Sequence, residues 1–296
     1  MKSKIVVAQG LDLYSDQIKR LESLGEVTIY TDISNTYEEW LGRVKDADVI
    51  CGGKFGLKQQ YHLLKDVFIT VPFVGVGWVD TKILKNNNIK FARSPGCNKD
   101  AVSEWIVFMV LNLFRKMHKY VKTTNPELPE RTKGLTNSQA CILGKGNIGS
   151  RVGKILKTMD MQIKFFNRGD NLTECVKDAD VVINCLSDNP STQNLLDNNF
   201  FKSMKKDAFY VTVTGRKLYD LKSLLEQLHN NHLGGAAIDT GDVQVGDVKD
   251  HYYTQLLNEE KILVTPHIAY RNDTTNRVGN DMMIDNIEAF LKWQTN

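Results

Sequence analysis

Ala140-Cys141-Ile142-Leu143-Gly144-Lys145-Gly146-Asn147-Ile148-Gly149 is the stretch on which the fold turns. An apolar run of strand character leads into a G-x-G-x-x-G pattern. The pattern opens a helix expected over 148–159, with Val152, Ile155 and Leu156 on one face. Three glycines alone are a weak signal; their place between a buried strand and a helix is what a dinucleotide demands. Gly144 permits the tight turn, Gly146 lets the backbone approach a pyrophosphate, and Gly149 lets helix and strand pack closely. Asn147 leads into the helix that Ile148 begins, whose N–H groups and partial positive charge face the phosphates.

Outward from this turn, short apolar runs alternate with helical spacing. Downstream strands are expected over 140–143, 162–166, 180–185, 208–213, 234–238 and 262–265. An upstream series reads as strands over 5–8, 27–30, 48–51, 68–74 and 89–92, with helices over 15–24, 37–44 and 81–85. Such alternation implies parallel sheets covered on both faces. The expected fold is α/β, with two doubly wound parallel-sheet domains, as suits a chain of 296 residues. One long apolar-faced helix is expected over 101–119, followed by a polar arm over 121–137 suited to an oligomer contact. The last helix, 273–293, comes after the second series and would pack back on the first domain.

Composition narrows the function classes. The formal net charge is +3, and no Lys/Arg block is dense enough for a nucleic-acid footprint. No apolar run approaches the roughly 20 residues of a membrane span, and the amino terminus lacks a signal peptide's apolar core. Five cysteines, none in a C-x-x-C pair, read as buried free thiols in a reducing cytoplasm. The six histidines form no ligand-spaced cluster, so no metal is expected.

The strand over 162–166 ends in Asn167-Arg168, where an NAD-selective site usually carries a carboxylate for the ribose 2′-OH. A guanidinium pairs with a 2′-phosphate in bidentate fashion, which favours NADP over NAD; nearby Asp170 is the counter-signal. Val264-Thr265-Pro266-His267-Ile268-Ala269 places a histidine directly after a strand, where open sheets bind ligands. Imidazole titrates near working pH and can exchange a proton with a substrate hydroxyl. Position alone would leave His267 structural.

Five motifs in order lift it. They are Gly75-Val76-Gly77-Trp78-Val79-Asp80, Ser94-Pro95-Gly96-Cys97-Asn98 running to Glu104, Gly144–Gly149, Gly235-Ala236-Ala237-Ile238-Asp239, and Thr265-Pro266-His267-Ile268. Together they resemble the D-isomer-specific 2-hydroxyacid dehydrogenases, the family of glyoxylate/hydroxypyruvate reductases and glycerate or phosphoglycerate dehydrogenases. The resemblance implies a flavodoxin-like substrate domain (1–97 and 270–296) and a Rossmann-like nucleotide-binding domain (98–269), with a cleft between. It also implies a homodimer through 101–137, an NADP or NAD cofactor, and a small 2-keto or 2-hydroxy acid substrate. His267 would be the proton donor and acceptor. Val74, Gly75, Val76 and Asn98, with Lys54, would hold the substrate carboxylate. Beside Gly144–Gly149, Asn167 and Arg168, the cofactor loops would include Leu186, Ser187, Thr192, Val213 and Thr214, with Asp239, His267 and Ala269 near the carboxamide.

Two departures stand out. The family's carbonyl-polarising arginine aligns with Gly215, and Arg216 follows one position later. Glycine's freedom of dihedral at a strand end would allow a bulge that re-aims Arg216. The family's histidine-supporting Glu aligns with Gln244, which orients an imidazole but cannot stabilise imidazolium by charge; Asp242 is the other candidate. These departures leave two further readings open: a formate dehydrogenase-like oxidoreductase, and a non-catalytic NAD(P)-binding sensor or corepressor.

Overall fold

The computed structural model describes residues 2–121, 131–240 and 251–294. The chain divides into two compact units, Met1–Asn98 with Arg271–Asn296, and Lys99–Tyr270. Each is built on an all-parallel sheet, as the alternating pattern requires.

In the first unit the strands are β1 (Lys4–Val7), β2 (Glu26–Ile29), β3 (Val49–Cys51), β4 (Phe68–Thr70) and β5 (Lys90–Ala92), in the order β2-β1-β3-β4-β5. Side chains alternate faces along a strand, and the registers Ile5↔Val49↔Phe68 and Val6↔Ile50↔Ile69 set the two faces apart. Val6, Ile50 and Ile69 pack with Trp40 and Leu57 on one side. Ile5, Val7, Val49, Cys51 and Phe68 meet Leu21 on the other, together with Met283, Ile284 and Ile287 of the helix Asp273–Gln294. Those three helix residues are fully buried, each worth about 2 kcal/mol of apolar burial. Gly279 of the same helix lies against the Pro72 carbonyl, leaving no room for a Cβ.

The second unit contains β6 (Gln139–Leu143), β7 (Gln162–Phe166), β8 (Val181–Asn184), β9 (Phe209–Thr212), β10 (Gly235–Asp239) and β11 (Ile262–Thr265), in the order β11-β10-β9-β8-β6-β7. The chain returns from β7 through the short helix Leu172–Val176 to β8 on the far side of β6. The order thus reverses at β6, the strand that carries the glycine turn. Ala140, Ile142, Val181, Ile183 and Val211 pack under Ile106, Val110 and Leu113 of the helix Lys99–Phe114. Cys141, Leu143, Val182 and Tyr210 pack against Phe200, Phe201, Leu224 and Leu228 on the opposite face.

Two expectations need correction. The strand expected over 68–74 stops at Thr70, because Pro72 has no N–H for a ladder and the chain turns into a loop. The helix expected over 101–119 spans Lys99–Phe114; its apolar stripe ends there, Lys116 takes a left-handed conformation (φ 49°), and the short helix Met117–Tyr120 follows. Most of the 121–137 arm lies outside the described residues.

Candidate active site

The turn after β6 is built as its glycines require. Gly144 has φ +95°, and a Cβ there would press on the Cys185 carbonyl at 3.1 Å. A Cβ at Gly149 would collide with the Gly144 carbonyl oxygen. Gly146 caps the helix Asn147–Thr158 with ordinary dihedrals and open space where its Cβ would be. That space, at a helix amino terminus, fits a pyrophosphate: a side chain there would fill the cradle.

Beyond it, Gly144 N–H donates to the Phe166 carbonyl (3.4 Å), joining the cradle to the end of β7. Asn167 and Arg168 stand exposed after that strand. The Asp170 carboxylate turns back and accepts from the Asn167 N–H (2.7 Å) and its side-chain amide (3.3 Å). Asp170 is therefore engaged in shaping the loop. Among the described residues, no ion pair holds Arg168.

At the carboxyl ends of β8 and β9 lies a buried polar network that sequence reading missed. Asn184 donates to Thr214 (2.8 Å) and Tyr210 (3.1 Å), and accepts from the Leu186 N–H (3.2 Å). The Thr212 and Thr214 hydroxyls meet at 3.0 Å. Asn184 thus fixes the departures of both loops, including Leu186, Val213 and Thr214. Its signal was an amide closing the apolar run Val181-Val182-Ile183. Ser187 and Thr192 belong to a self-knotted loop, in which the Thr192 hydroxyl donates to the Ser187 carbonyl (2.7 Å).

His267 sits directly after β11, half-buried, with φ +56°. A left-handed histidine is uncommon and persists where surrounding structure determines it. Here Asp239, buried at the end of β10, supplies the determinant. Its carboxylate accepts from the Thr265 hydroxyl (2.6 Å), the Ile268 N–H (2.9 Å) and the Ala269 N–H (3.0 Å). The register that pairs Asp239 with Thr265 places carboxylate and turn side by side. The His267 ring packs edge-on to Tyr270 at 5.3 Å.

Arg216 opens a 3-10 turn, Arg216–Leu218, and its guanidinium lies over the Tyr252 ring at 5.1 Å. Gly215 is extended (φ −64°, ψ 155°), a conformation open to any residue. The bulge expected from glycine's freedom is absent; the 3-10 turn sets the direction of Arg216. Tyr252 in turn bonds through its hydroxyl to Tyr219. Gln244 and Asp242 lie outside the described residues.

In the first unit, Lys54 follows β3, and its Nζ stands 5.8 Å from the Phe73 ring centre. Desolvation and then neighbouring Lys58 hold its ammonium below the usual lysine value, although the side chain stays partly open to solvent. Val74, Gly75 and Val76 lie in the loop after β4, and among the described residues their N–H groups donate no hydrogen bond. Asn98, half-buried, follows the turn made by Gly96 (φ +85°).

A glycine cradle at the order reversal of a parallel sheet, with a pinned histidine in the same unit, defines a dinucleotide-dependent oxidoreductase site. Residues 105–269 match the family model described as D-isomer specific 2-hydroxyacid dehydrogenase, NAD binding domain. The chain belongs to the D-isomer specific 2-hydroxyacid dehydrogenase family of NAD-dependent oxidoreductases. It is 26% identical over 278 residues to a D-lactate dehydrogenase of Staphylococcus epidermidis, covering 84% of each chain. A D-lactate dehydrogenase of Streptococcus agalactiae serotype V is 27% identical over 279 residues, covering 86% of this chain and 81% of the relative. Among solved structures, an acyclic imino acid reductase in complex with NADPH and D-Arg superposes with TM-score 0.83 at 20% identity, over 98% of this chain and 97% of that one. A glyoxylate reductase from Paecilomyes thermophila gives 0.79 at 18% identity, over 97% and 95%. The fold is common to this chain and both solved structures. Among the described residues there is neither a metal-ligating cluster nor a helix long and apolar enough to cross a membrane.

Proposed function

We propose that this protein interconverts small 2-keto and 2-hydroxy acids, with NADP preferred over NAD. The observation that carries the reading is the His267 turn, held after β11 in a left-handed conformation by three hydrogen bonds to Asp239. A nicotinamide held in this unit would supply or accept the hydride at C2. His267 gives the proton to the substrate oxygen in reduction and takes it back in oxidation. Asp239 fixes the turn, and Gln244 orients the imidazole. Arg216 polarises the keto oxygen, with Tyr252 beneath its guanidinium. The N–H groups of Val74, Gly75 and Val76, with Asn98 and Lys54, hold the substrate carboxylate. Gly144, Gly146, Asn147, Ile148 and Gly149 hold the pyrophosphate, and Leu186, Ser187, Thr192, Val213 and Thr214 line the dinucleotide. Asn167 and Arg168 receive the 2′-phosphate, a reading supported by the engagement of Asp170 in its own loop.

The polypeptide acts as a homodimer through residues 101–137, in a reducing cytoplasm that suits its five free thiols. Burial pushes Cys51, Cys141 and Cys185 up to about 12, so these thiols stay protonated and inert at working pH.

The test is NADPH oxidation with glyoxylate, hydroxypyruvate and pyruvate, repeated with NADH. Turnover abolished by His267→Ala is expected. Tight NADPH binding without turnover would favour a sensor, and formate oxidation a formate dehydrogenase. Higher kcat/KM with NADH would overturn the NADP assignment.

A further inference from the structure

Arg216 stands on a stitched turn. The Leu218 N–H donates to the Gly215 carbonyl (3.2 Å), the Asn194 N–H to the Lys217 carbonyl (2.8 Å) and the Leu196 N–H to the Leu218 carbonyl (3.1 Å). The residue itself is exposed, and a long arginine arm samples many rotamers until its head is held. Tyr252 offers a hold: the guanidinium carbon lies over its ring at 5.1 Å, within the range of a cation–π contact. Tyr252 is the second residue of the helix His251–Leu257, which is anchored by fully buried Leu256 and leads into β11, the strand before His267. Its hydroxyl is hydrogen-bonded to that of buried Tyr219. The Tyr219 ring packs edge-on to Tyr210 at 5.8 Å, and the Tyr210 hydroxyl accepts from the Asn184 amide (3.1 Å). A chain of rings and hydroxyls thus runs from the polar network after β8 and β9 to the floor beneath Arg216.

Arg216 and His267 follow β9 and β11, which flank β10 and lie about 10 Å apart across the sheet. One small keto oxygen meets both side chains only if each is aimed. An arginine that starts one residue late leaves along a different line, so its head needs a new guide. A carboxylate guide would compete with the substrate for the N–H groups. A ring face takes up the flat side of a guanidinium and leaves its in-plane N–H groups to donate.

We propose that Tyr252, locked by the Tyr219 hydroxyl, is the positioning residue that aims Arg216 at the keto oxygen and so makes good the one-residue displacement. This rests on the reading of Arg216 as the carbonyl-polarising group.

The experiment measures kcat and KM for glyoxylate, hydroxypyruvate and pyruvate, with NADPH, in wild type, Tyr252→Leu, Arg216→Ala and the double variant. Polarisation acts in the transition state, so Tyr252→Leu should lower kcat at least about fivefold and change KM less than about twofold. Tyr252→Phe and Tyr219→Phe keep the ring and lose only the lock; each should fall between, about two- to threefold below wild type. In the Arg216→Ala background, Tyr252→Leu should cost nothing further, because the two side chains act as one unit. A tyrosine with a merely structural role would lower kcat by the same factor in either background. That result overturns the assignment, as does a Tyr252→Leu variant with wild-type kcat. Tyr252→Met serves if the leucine variant does not fold. NMR of the Arg216 Nε–H group gives a readout independent of turnover. Its proton is expected upfield in wild type and Tyr252→Phe, shifted by the ring beneath it, and at the ordinary arginine position in Tyr252→Leu. An ordinary position in wild type overturns the assignment. Undiminished turnover in Arg216→Ala, or turnover of none of the three acids, counts against the reading of Arg216 alone. The NMR shift then decides whether Tyr252 holds the guanidinium.

Discussion

Asp239 has both carboxylate oxygens engaged in holding one turn, and His267 depends on it. Asparagine at this position offers one acceptor where the turn presents N–H groups to both oxygens. Asp239→Asn is expected to lower stability by about 2 kcal/mol and to cut turnover at least tenfold, read by urea unfolding and NADPH oxidation. An unchanged midpoint would mean the turn holds itself. Asp180 does comparable work at the opposite end of the same sheet. It accepts from Lys133 (2.5 Å), Lys205 (2.6 Å) and the Gln139 N–H (2.8 Å). Burial pushes its carboxyl up, but these partners together hold it below the ordinary value. A depressed carboxyl stabilises the fold above its unfolded pKa, and the contribution fades as pH falls through the folded one. Asp180→Asn should therefore cost about 2 kcal/mol at pH 7, with the gap to wild type closing below about pH 4. A gap constant from pH 7 to pH 3 would show that the charge is irrelevant. His267 was legible as a residue type after a strand. Its carboxylate anchor was not, because that contact depends on the register of β10 against β11, which no local motif encodes. Arg216 illustrates the same limit: its one-residue displacement could be read, but the 3-10 turn that aims it could not.

At the level of elements, the strand–turn–helix around Gly144–Gly149 was the most legible part of the chain, since each glycine meets its own steric demand. Two of those demands separate experimentally. Gly149→Ala drives a methyl into the Gly144 carbonyl, which forces the helix off the sheet. It should lower Tm by several degrees, with NADPH binding lost as a consequence. Gly146→Ala meets open space and ordinary dihedrals. It should leave Tm nearly unchanged while weakening NADPH at least tenfold by fluorescence titration. Equal effects on Tm would refute the division of labour. Strand ends were less legible: Val-rich runs such as 68–74 continue past the point where Pro72 stops the ladder.

At the scale of the whole molecule, the helix Lys99–Phe114 buries one face in its own unit and leaves Phe108 60% exposed on another. An aromatic ring open to water in mid-helix is consistent with the homodimer contact assigned to 101–137. Phe108→Glu is expected to convert dimer to monomer by analytical ultracentrifugation; a monomeric wild type would remove the assignment. The helix Asp273–Gln294 bears on how the chain comes to fold at all. It covers one face of the first unit's sheet, yet the ribosome makes it only after all of Lys99–Tyr270. Until then Ile5, Val7, Val49 and Phe68 lack the part of their cover that Met283, Ile284 and Ile287 supply. Domains commonly mature in the order of synthesis, amino-terminal first. Here the nucleotide-binding half can close while its elder neighbour waits, holding an apolar face that a chaperone would recognise.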